Sequence, residues 1–114
     1  MRLTSDFWVS ALVRRCYGEN AYASVAARGS PEAGAIYLIA DRLDGTLDLY
    51  GPAPQSYFDE TTAGERLFEK LIAQGDREAV AARLASERRM DPDIWVVEIE
   101  DREARLFWEV VSDS

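Results

Sequence analysis

The sequence predicts an α+β fold in which an antiparallel sheet of four to six strands carries two helices. Residues 94–99 form a nearly continuous run of β-branched and aromatic side chains, typical of a strand covered on both faces. Residues 35–50 contain two apolar runs joined by an Asp-Gly pair, which is a hairpin signal. Segments 5–18 and 76–90 carry apolar residues at helical spacing. The expected order is α-β-β-β-β-α-β, and a C-terminal strand is an additional candidate.

The first helix is expected to begin at Ser5 or Asp6, because either side chain can cap its N-terminus. Gly18 or Asn20 is expected to end it. Its inner face is predicted from i, i+3, i+4, i+7, i+8 spacing to consist of Trp8, Ala11, Leu12, Arg15 and Cys16. The short alanine-rich segment 21–28 that follows fits either state, and we favour a strand.

The middle of the chain contains the clearest local signal and one ambiguous segment. Residues 35–40 and 46–50 form the predicted hairpin, which the prolines after it bring to an end. Residues 52–64 are expected to form a loop. Residues 65–73 fit a short helix and a short strand equally well, because the run is apolar and only a few residues long.

The last third of the chain is predicted to hold a helix and then the central strand. Asp76 caps the helix, which stops near Met90 because the residue before Pro92 is pushed out of helical conformation. The central strand covers residues 93–100. Residues 104–111 form another apolar run, which we expect to pair with the central strand as a hairpin.

Length and composition indicate a single domain and exclude several classes of function. The chain of 114 residues is near the modal domain size, so we expect one domain over residues 1–114. A single cysteine permits no internal disulfide and fits a reducing cytoplasm. The absence of histidine removes Ser-His-Asp and Cys-His chemistry and the commonest zinc ligand. No apolar stretch has the length of a membrane span, so no membrane is expected as a partner. No cofactor is expected either, because the glycines of residues 29–34 lack the spacing and the lysine of a phosphate loop.

Charge is unevenly distributed along the chain. The net charge of −8 argues against nucleic acid or an anionic membrane as a partner. Residues 1–30 nevertheless carry four arginines and two acids, whereas residues 93–114 carry seven acids and two arginines. The two ends can attract one another within the fold or across a dimer, although solvated faces are the simpler interpretation. The third functional hypothesis is a phosphate contact through Arg14, Arg15 and Arg28, or a nucleic-acid contact through these three and Arg2.

Four carboxylates near the central strand suggest the second hypothesis, a metal-dependent hydrolase. Glu98 and Glu100 are two apart on a strand, so both point to one face, and Asp91 and Asp93 lie just upstream. Oxygen ligands of this kind suit Mg²⁺ or Mn²⁺. The lysine that a nuclease-like arrangement needs is missing. The simpler interpretation places both glutamates in solvent or opposite arginines of a neighbouring strand.

The leading hypothesis is a non-catalytic cytoplasmic module that binds another protein or a second copy of itself. Aromatic residues are enriched at interfaces, and four of them lie in a loop or near the C-terminus: Tyr57, Phe58, Phe107 and Trp108. Tyr57 and Phe58 can instead pack their loop against the core of the domain. Cys16 follows two arginines that favour a reactive thiolate, but its place on an apolar stripe favours a buried structural role. We therefore lean against an enzyme.

Several segments are informative as a set, namely Trp8-Val9-Ser10-Ala11-Leu12 with Arg14-Arg15, Ala33-Gly34-Ala35-Ile36, Tyr50-Gly51-Pro52-Ala53-Pro54 and Asp91-Pro92-Asp93-Ile94-Trp95-Val96-Val97-Glu98-Ile99-Glu100. Together they resemble a family of short bacterial proteins known as domain of unknown function 1491, over nearly the whole chain. The resemblance implies one intact domain and a cytoplasmic bacterial origin, and it favours a strand over residues 65–72. That family has no assigned activity, so the resemblance implies no catalytic residue.

Overall fold

The computed structural model describes residues 3–54 and 66–111, in which two helices cover opposite faces of one sheet. The elements follow the predicted order, with the additional C-terminal strand. They are α1 (Ser5–Gly18), β1 (Tyr22–Ala27), β2 (Ile36–Asp41), β3 (Leu47–Pro52), β4 (Leu67–Gly75), α2 (Arg77–Met90), β5 (Trp95–Glu100) and β6 (Glu109–Val110). Neither helix is long and apolar enough to cross a membrane in this described part of the chain.

The six strands form one sheet in the order β1-β5-β2-β3-β4-β6. β5 pairs antiparallel with β1 but parallel with β2, and β4 pairs parallel with β6. The sheet is therefore mixed, and the prediction of a purely antiparallel sheet is wrong on this point. The reason is that α2 returns the chain across the sheet, so β5 enters in the same direction as β2.

The predicted hairpin between the central strand and residues 104–111 is also wrong. β5 already has β1 on one side and β2 on the other, so it offers no free edge to a following strand. The chain instead crosses to the far edge of the sheet. There β6 contributes two residues opposite Leu67 and Phe68 of β4.

The ambiguous segment after residue 65 is a strand from Leu67 onwards, as the family resemblance favours. Irregularities in its register against β3 interrupt the strict alternation of its side chains between the two faces of the sheet. Phe68 belongs to the core beneath α1, whereas Leu71 and Ile72 pack beneath α2. This mixed pattern explains why neither a strict helical nor a strict strand period is visible in the sequence.

α1 covers one face of the sheet. It packs over Trp95, Val97 and Ile99 through the buried residues Val9, Leu12 and Cys16. The predicted inner face of α1 is wrong at two positions, because Ala11 and Arg15 are exposed. The predicted cap was also one residue late, since Thr4 occupies the N-cap position; the helix ends at Gly18 as expected.

α2 covers only part of the other face. The Asp76 carboxylate caps it by accepting a hydrogen bond of 2.7 Å from the Ala79 N–H. Val80 is its one buried residue, and the helix packs chiefly over β3 and β4. Ala81 and Ala85, each one residue beyond Val80 and Leu84, are exposed. The β1 side of this face is therefore left without a helix above it.

A buried carboxylate fastens β4 to the β2–β3 hairpin. Asp48 is 2% exposed. Its Oδ2 accepts a hydrogen bond of 2.9 Å from Arg42 Nε, and its Oδ1 accepts one of 2.7 Å from the Gln74 N–H. Gln74 has a φ of 50°, a backbone conformation that non-glycine residues adopt only when their surroundings hold them there. The Asp48 carboxylate provides that restraint.

We expect Asp48→Ala to lower the free energy of unfolding by about 2–3 kcal/mol, because it leaves the Gln74 N–H without its acceptor and the Arg42 guanidinium without its counter-ion. The matched control is Asp44→Ala. The Asp44 carboxylate caps the same hairpin from solvent, so its loss should cost less than about 1 kcal/mol. Urea unfolding of both variants measures the difference, and equal losses would contradict the role given to Asp48.

Candidate functional site: the free edge of β1

β1 is an edge strand of the sheet. β5 pairs with one side of it, and no described strand pairs with the other. Its sequence, Tyr-Ala-Ser-Val-Ala-Ala, contains no lysine, proline or other residue that commonly blocks an open edge. A bulge between Val25 and Ala27 is its one irregularity. The start of β1 is thus a regular strand edge that a second strand can approach.

Hydrogen bonds at the two ends of β5 define the direction of its backbone groups. The Trp95 N–H donates to the carbonyl of Ala35 over 2.7 Å, and the Asp101 N–H donates to the carbonyl of Asp41 over 3.1 Å. Both acceptors lie on the β2 side. Because backbone groups alternate along a strand, the odd-numbered residues of β5 bond towards β2 and its even-numbered residues bond towards β1.

The same alternation assigns the free backbone groups of β1. Ser24 lies opposite Glu98, an even-numbered residue of β5, so these two form a hydrogen-bonded pair. Ala23 and Val25 lie on either side of Ser24, and their N–H and C=O groups therefore point away from the sheet. No backbone carbonyl or N–H in the described loops and turns bonds to these groups, but the Ala23 N–H donates to the Tyr17 hydroxyl, an exposed side chain that an added strand would displace.

A cleft of about 330 Å³ borders this edge on the α1 face. Its apolar part includes Val25 of β1 and Val13 of α1. Arg14 and Arg28 line it together with one acid, Asp6, and the Arg28 guanidinium lies 4.9 Å from the centre of the Trp95 ring. Two of the three predicted anion-binding arginines therefore meet at the C-terminal end of β1.

The third predicted arginine, Arg15, lies elsewhere. It lines a different cleft together with Trp8 and Trp108. Its guanidinium is 3.6 Å from the Glu19 carboxylate and 5.9 Å from the centre of the Phe107 ring. The predicted group of Arg14, Arg15 and Arg28 is therefore not a single site, and Arg2 lies outside the described residues.

A second cleft, also of about 330 Å³, borders β1 on the α2 face, where the helix leaves the sheet uncovered. Ala26, Ala27 and Val96 form its floor, and Leu84 belongs to its wall. Arg88 lies at its margin. A chain beside β1 would thus find apolar space on both faces of the sheet.

The N-terminal end of β1 is acidic. A concavity there is lined by Glu19, Glu100, Asp101 and Glu103 together with Arg102 and Arg105. Arg105 lies 2.9 Å from Asp101 and, by hydrogen bonding, holds the pKa of that carboxyl below its usual value. The tyrosines Tyr17 and Tyr22 are each 50% exposed beside it, with their rings in edge-to-face contact at 5.7 Å. β1 therefore runs from an acidic end to a basic end.

The four carboxylates predicted to hold a metal do not form one group. Asp91 and Asp93 precede β5, whereas Glu98 and Glu100 lie at its other end. Five residues of strand separate Asp93 from Glu98, a distance of about 16 Å. The predicted metal set is wrong in this respect, because an extended strand cannot bring its two ends together.

Asp41 of β2 joins the two glutamates instead, and these three residues offer oxygen atoms within 4.8 Å of one another. The first residue of α2, Arg77, already occupies the group. It makes two hydrogen bonds to Glu98, of 2.8 and 3.2 Å, and its Nη2 lies 3.5 Å from Asp41. The simpler interpretation of paired glutamates therefore describes Glu98, with the arginine coming from a helix and not from a neighbouring strand.

The predicted aromatic contact residues fall into two groups. Tyr57 and Phe58 lie outside the described residues. Phe107 and Trp108 are buried, with 5% and 8% of their surface exposed. Trp108 meets Tyr50 edge to face at 5.2 Å in the core beneath α1. The domain itself covers these two side chains, so they are not an exposed contact surface.

Cys16 is fully buried in the same core. Burial raises the pKa of its thiol to about 11, so the thiol is protonated at neutral pH. The two arginines that precede it in sequence do not offset this desolvation. The structural interpretation of this cysteine is confirmed, and it supplies no nucleophile.

Sequence reasoning missed the β1 edge because no single residue marks it. β1 is an edge strand because β5 lies between it and β2, and this strand order cannot be read from the sequence of β1 itself. One signal was available in the sequence: the short strand predicted over residues 21–28 contains no proline and no lysine, so an edge position would leave it unprotected.

Replacing Trp108 with alanine is expected to lower the free energy of unfolding by about 3–5 kcal/mol, because the indole fills the core against Tyr50. The control is Leu106→Ala, which removes a side chain that is 48% exposed and should cost less than about 1 kcal/mol. Chemical denaturation distinguishes the two. A Trp108→Ala protein as stable as the wild type would place the indole at the surface.

Millimolar Mg²⁺ or Mn²⁺ should leave the melting temperature of the wild-type protein unchanged, because Arg77 neutralises the carboxylate group that would receive the ion. In Arg77→Gln the same carboxylates repel one another, and the ion should raise the melting temperature by mass action. Thermal unfolding with and without the ion tests both. A rise in the wild type that disappears in the Glu98→Gln, Glu100→Gln variant would revive the metal-enzyme hypothesis.

The chain is similar to several solved structures. The solution structure of protein Atu0922 from A. tumefaciens is 43% identical, with a TM-score of 0.86 over 100% of this chain and 98% of that one. The crystal structure of a DUF1491 family protein from Caulobacter crescentus CB15 is 36% identical, with a TM-score of 0.78 over 98% of this chain and 100% of that one. An NMR structure of a DUF1491 family protein from the same organism is 38% identical, with a TM-score of 0.78 over 98% and 99% of the two chains.

The curated proteins contain no match to this sequence. The family model described as "Protein of unknown function (DUF1491)" matches residues 3–109. With nearly the whole chain matched in sequence and the same fold in its relatives, this protein belongs to the DUF1491 family.

Proposed function

We propose that this protein is a non-catalytic binding module that takes up an extended segment of a protein chain along β1. The observation that carries the proposal is the open edge, at which the backbone groups of Ala23 and Val25 point away from the sheet. A strand added there gains main-chain hydrogen bonds, which is a recurring mode of peptide recognition. The cytoplasm is the proposed location, because the lone cysteine fits a reducing compartment.

The space beside β1 supports the same function. Side chains of an added strand alternate between the two faces of the sheet. On one face they would meet the cleft lined by Val13, Val25 and Arg28, and on the other the cleft floored by Ala27 and Val96. Main-chain bonds would supply affinity for any extended segment, and the two clefts would supply selectivity.

The chemistry of the described residues argues against catalysis in the same region. Cys16 is buried and protonated, and the chain has no histidine to activate a hydroxyl. The Asp41, Glu98 and Glu100 carboxylates face an arginine that already satisfies part of their charge. Binding is therefore the function that the surface supports best.

The test replaces Val25 with proline. This change removes an N–H that points outward and leaves the ladder with β5 intact, so it should abolish strand addition without unfolding the domain. Val25→Thr is the matched control, because it keeps the N–H and the shape of the side chain. We expect the wild type and Val25→Thr to retain a stoichiometric protein from the host lysate, or to self-associate, and Val25→Pro to bind at least about tenfold more weakly.

Circular dichroism and melting temperature confirm that each variant is folded before binding is compared. Mass spectrometry of the captured material and light scattering on the purified proteins give the readout. Partners retained equally by all three proteins would refute the proposed use of β1, and so would the absence of any partner or self-association of the wild type.

A further inference from the structure

We infer that the strand bound by β1 is β1 of a second copy of this chain, antiparallel to the first and related to it by a two-fold axis. The inference rests on the proposed function, since it names the partner of the same edge. Such an interface is self-complementary, so a single surface must supply both halves of every contact. The backbone pattern and the charges of β1 meet this requirement.

The backbone pattern selects one register. Hydrogen-bonded pairs in an antiparallel ladder require outward-pointing groups on both strands. In each copy those groups belong to Ala23 and Val25. Placing Ala23 opposite Val25 of the partner subunit uses both residues of both copies, in two pairs that each exchange two N–H···O bonds. This register brings Ser24 of each copy to the two-fold axis.

The charges of β1 favour the same arrangement. With Ser24 on the axis, the end of β1 that leads to Arg28 in one copy lies towards the start of β1 in the other copy, where α1 ends beside the partner's Glu19. The basic end formed by Arg14 and Arg28 therefore lies against the acidic end of the other copy, and the contact occurs twice. A uniformly acidic or basic peptide would match one end and be repelled by the other. A second copy matches both.

The two-fold pairing of β1 with β1 is closed at two copies. The bulge after Val25 ends the regular edge within a few residues of Ser24, so pairing is short and centred. At the opposite edge of the sheet, β6 covers β4 only at Leu67 and Phe68, and the next two residues of β4 are the charged Glu69 and Lys70, which discourage further pairing there. The β1 strand carries no charge, and one two-fold pairing consumes its edge in both copies.

A cysteine at the axis tests the register. Facing residues of a non-hydrogen-bonded antiparallel pair have Cα atoms about 4.5 Å apart, within the range that a disulfide spans. Ser24→Cys should therefore form a covalent dimer under mild oxidation, reversed by dithiothreitol. Native Cys16 does not compete, because it is buried. The control is Ser86→Cys on the exposed surface of α2, which should cross-link at least about tenfold more slowly.

A charge exchange tests the antiparallel direction independently. Arg28→Glu alone should weaken dimerisation at least about tenfold, because it sets two acids against each other at both ends, and Glu19→Arg alone should do the same with two bases. An equimolar mixture of the two variants should regain the dimer as a heterodimer, since each end then pairs opposite charges. Sedimentation velocity gives the dissociation constants, and melting temperatures confirm that both variants are folded.

A wild-type protein that remains monomeric at millimolar concentration, with no cross-linking of Ser24→Cys above the control, would overturn the dimer. The proposed function survives that result if a different captured protein still depends on Val25, and it fails with the dimer if none does. A dimer that forms but is not restored by mixing the charge variants would overturn the antiparallel register.

Discussion

The structure depends on β5 being paired along both edges and covered on both faces. β1 and β2 bond to its two sides, α1 lies over Trp95, Val97 and Ile99, and the opposite face packs beneath α2. Trp95 also fixes the loop before β2, because its Nε1–H donates to the carbonyl of Ser30 over 2.7 Å. β5 divides the sheet, with β1 on one side of it and β2, β3, β4 and β6 on the other.

This constraint explains how far the sequence predicts the fold. The type of nearly every element could be predicted, because local patterns decide it: the Asp-Gly turn of the hairpin, the Asp76 cap, and the dense apolar run of β5. The neighbours of each strand could not. That β5 is flanked by β1 and β2, and that β6 pairs with β4, depends on long-range packing which no short window of sequence contains.

The candidate site was harder to predict for the same reason. The sequence drew attention to conspicuous side chains, and folding gave most of them structural roles: Trp108 in the core, Cys16 beneath α1, and Glu98 paired with Arg77. The edge of β1, on which the proposed function rests, is made of alanine, serine and valine. Its chemistry belongs to the backbone, and only the strand order reveals it. The uneven charge of the chain was visible in the sequence, but its alignment with the two ends of β1 was not.

The place of the central strand in the chain also governs synthesis. β5 begins at Trp95, so β1 and the β2–β4 unit leave the ribosome before the strand that joins them exists. Until β5 is present, β1 and β2 each have an unpaired edge, and α1 lacks the part of its packing surface that β5 supplies. The domain therefore cannot complete its sheet progressively from the N-terminus. Its folding is a late, non-local event, of the kind that is slow and exposes unpaired strands to neighbouring chains on the way.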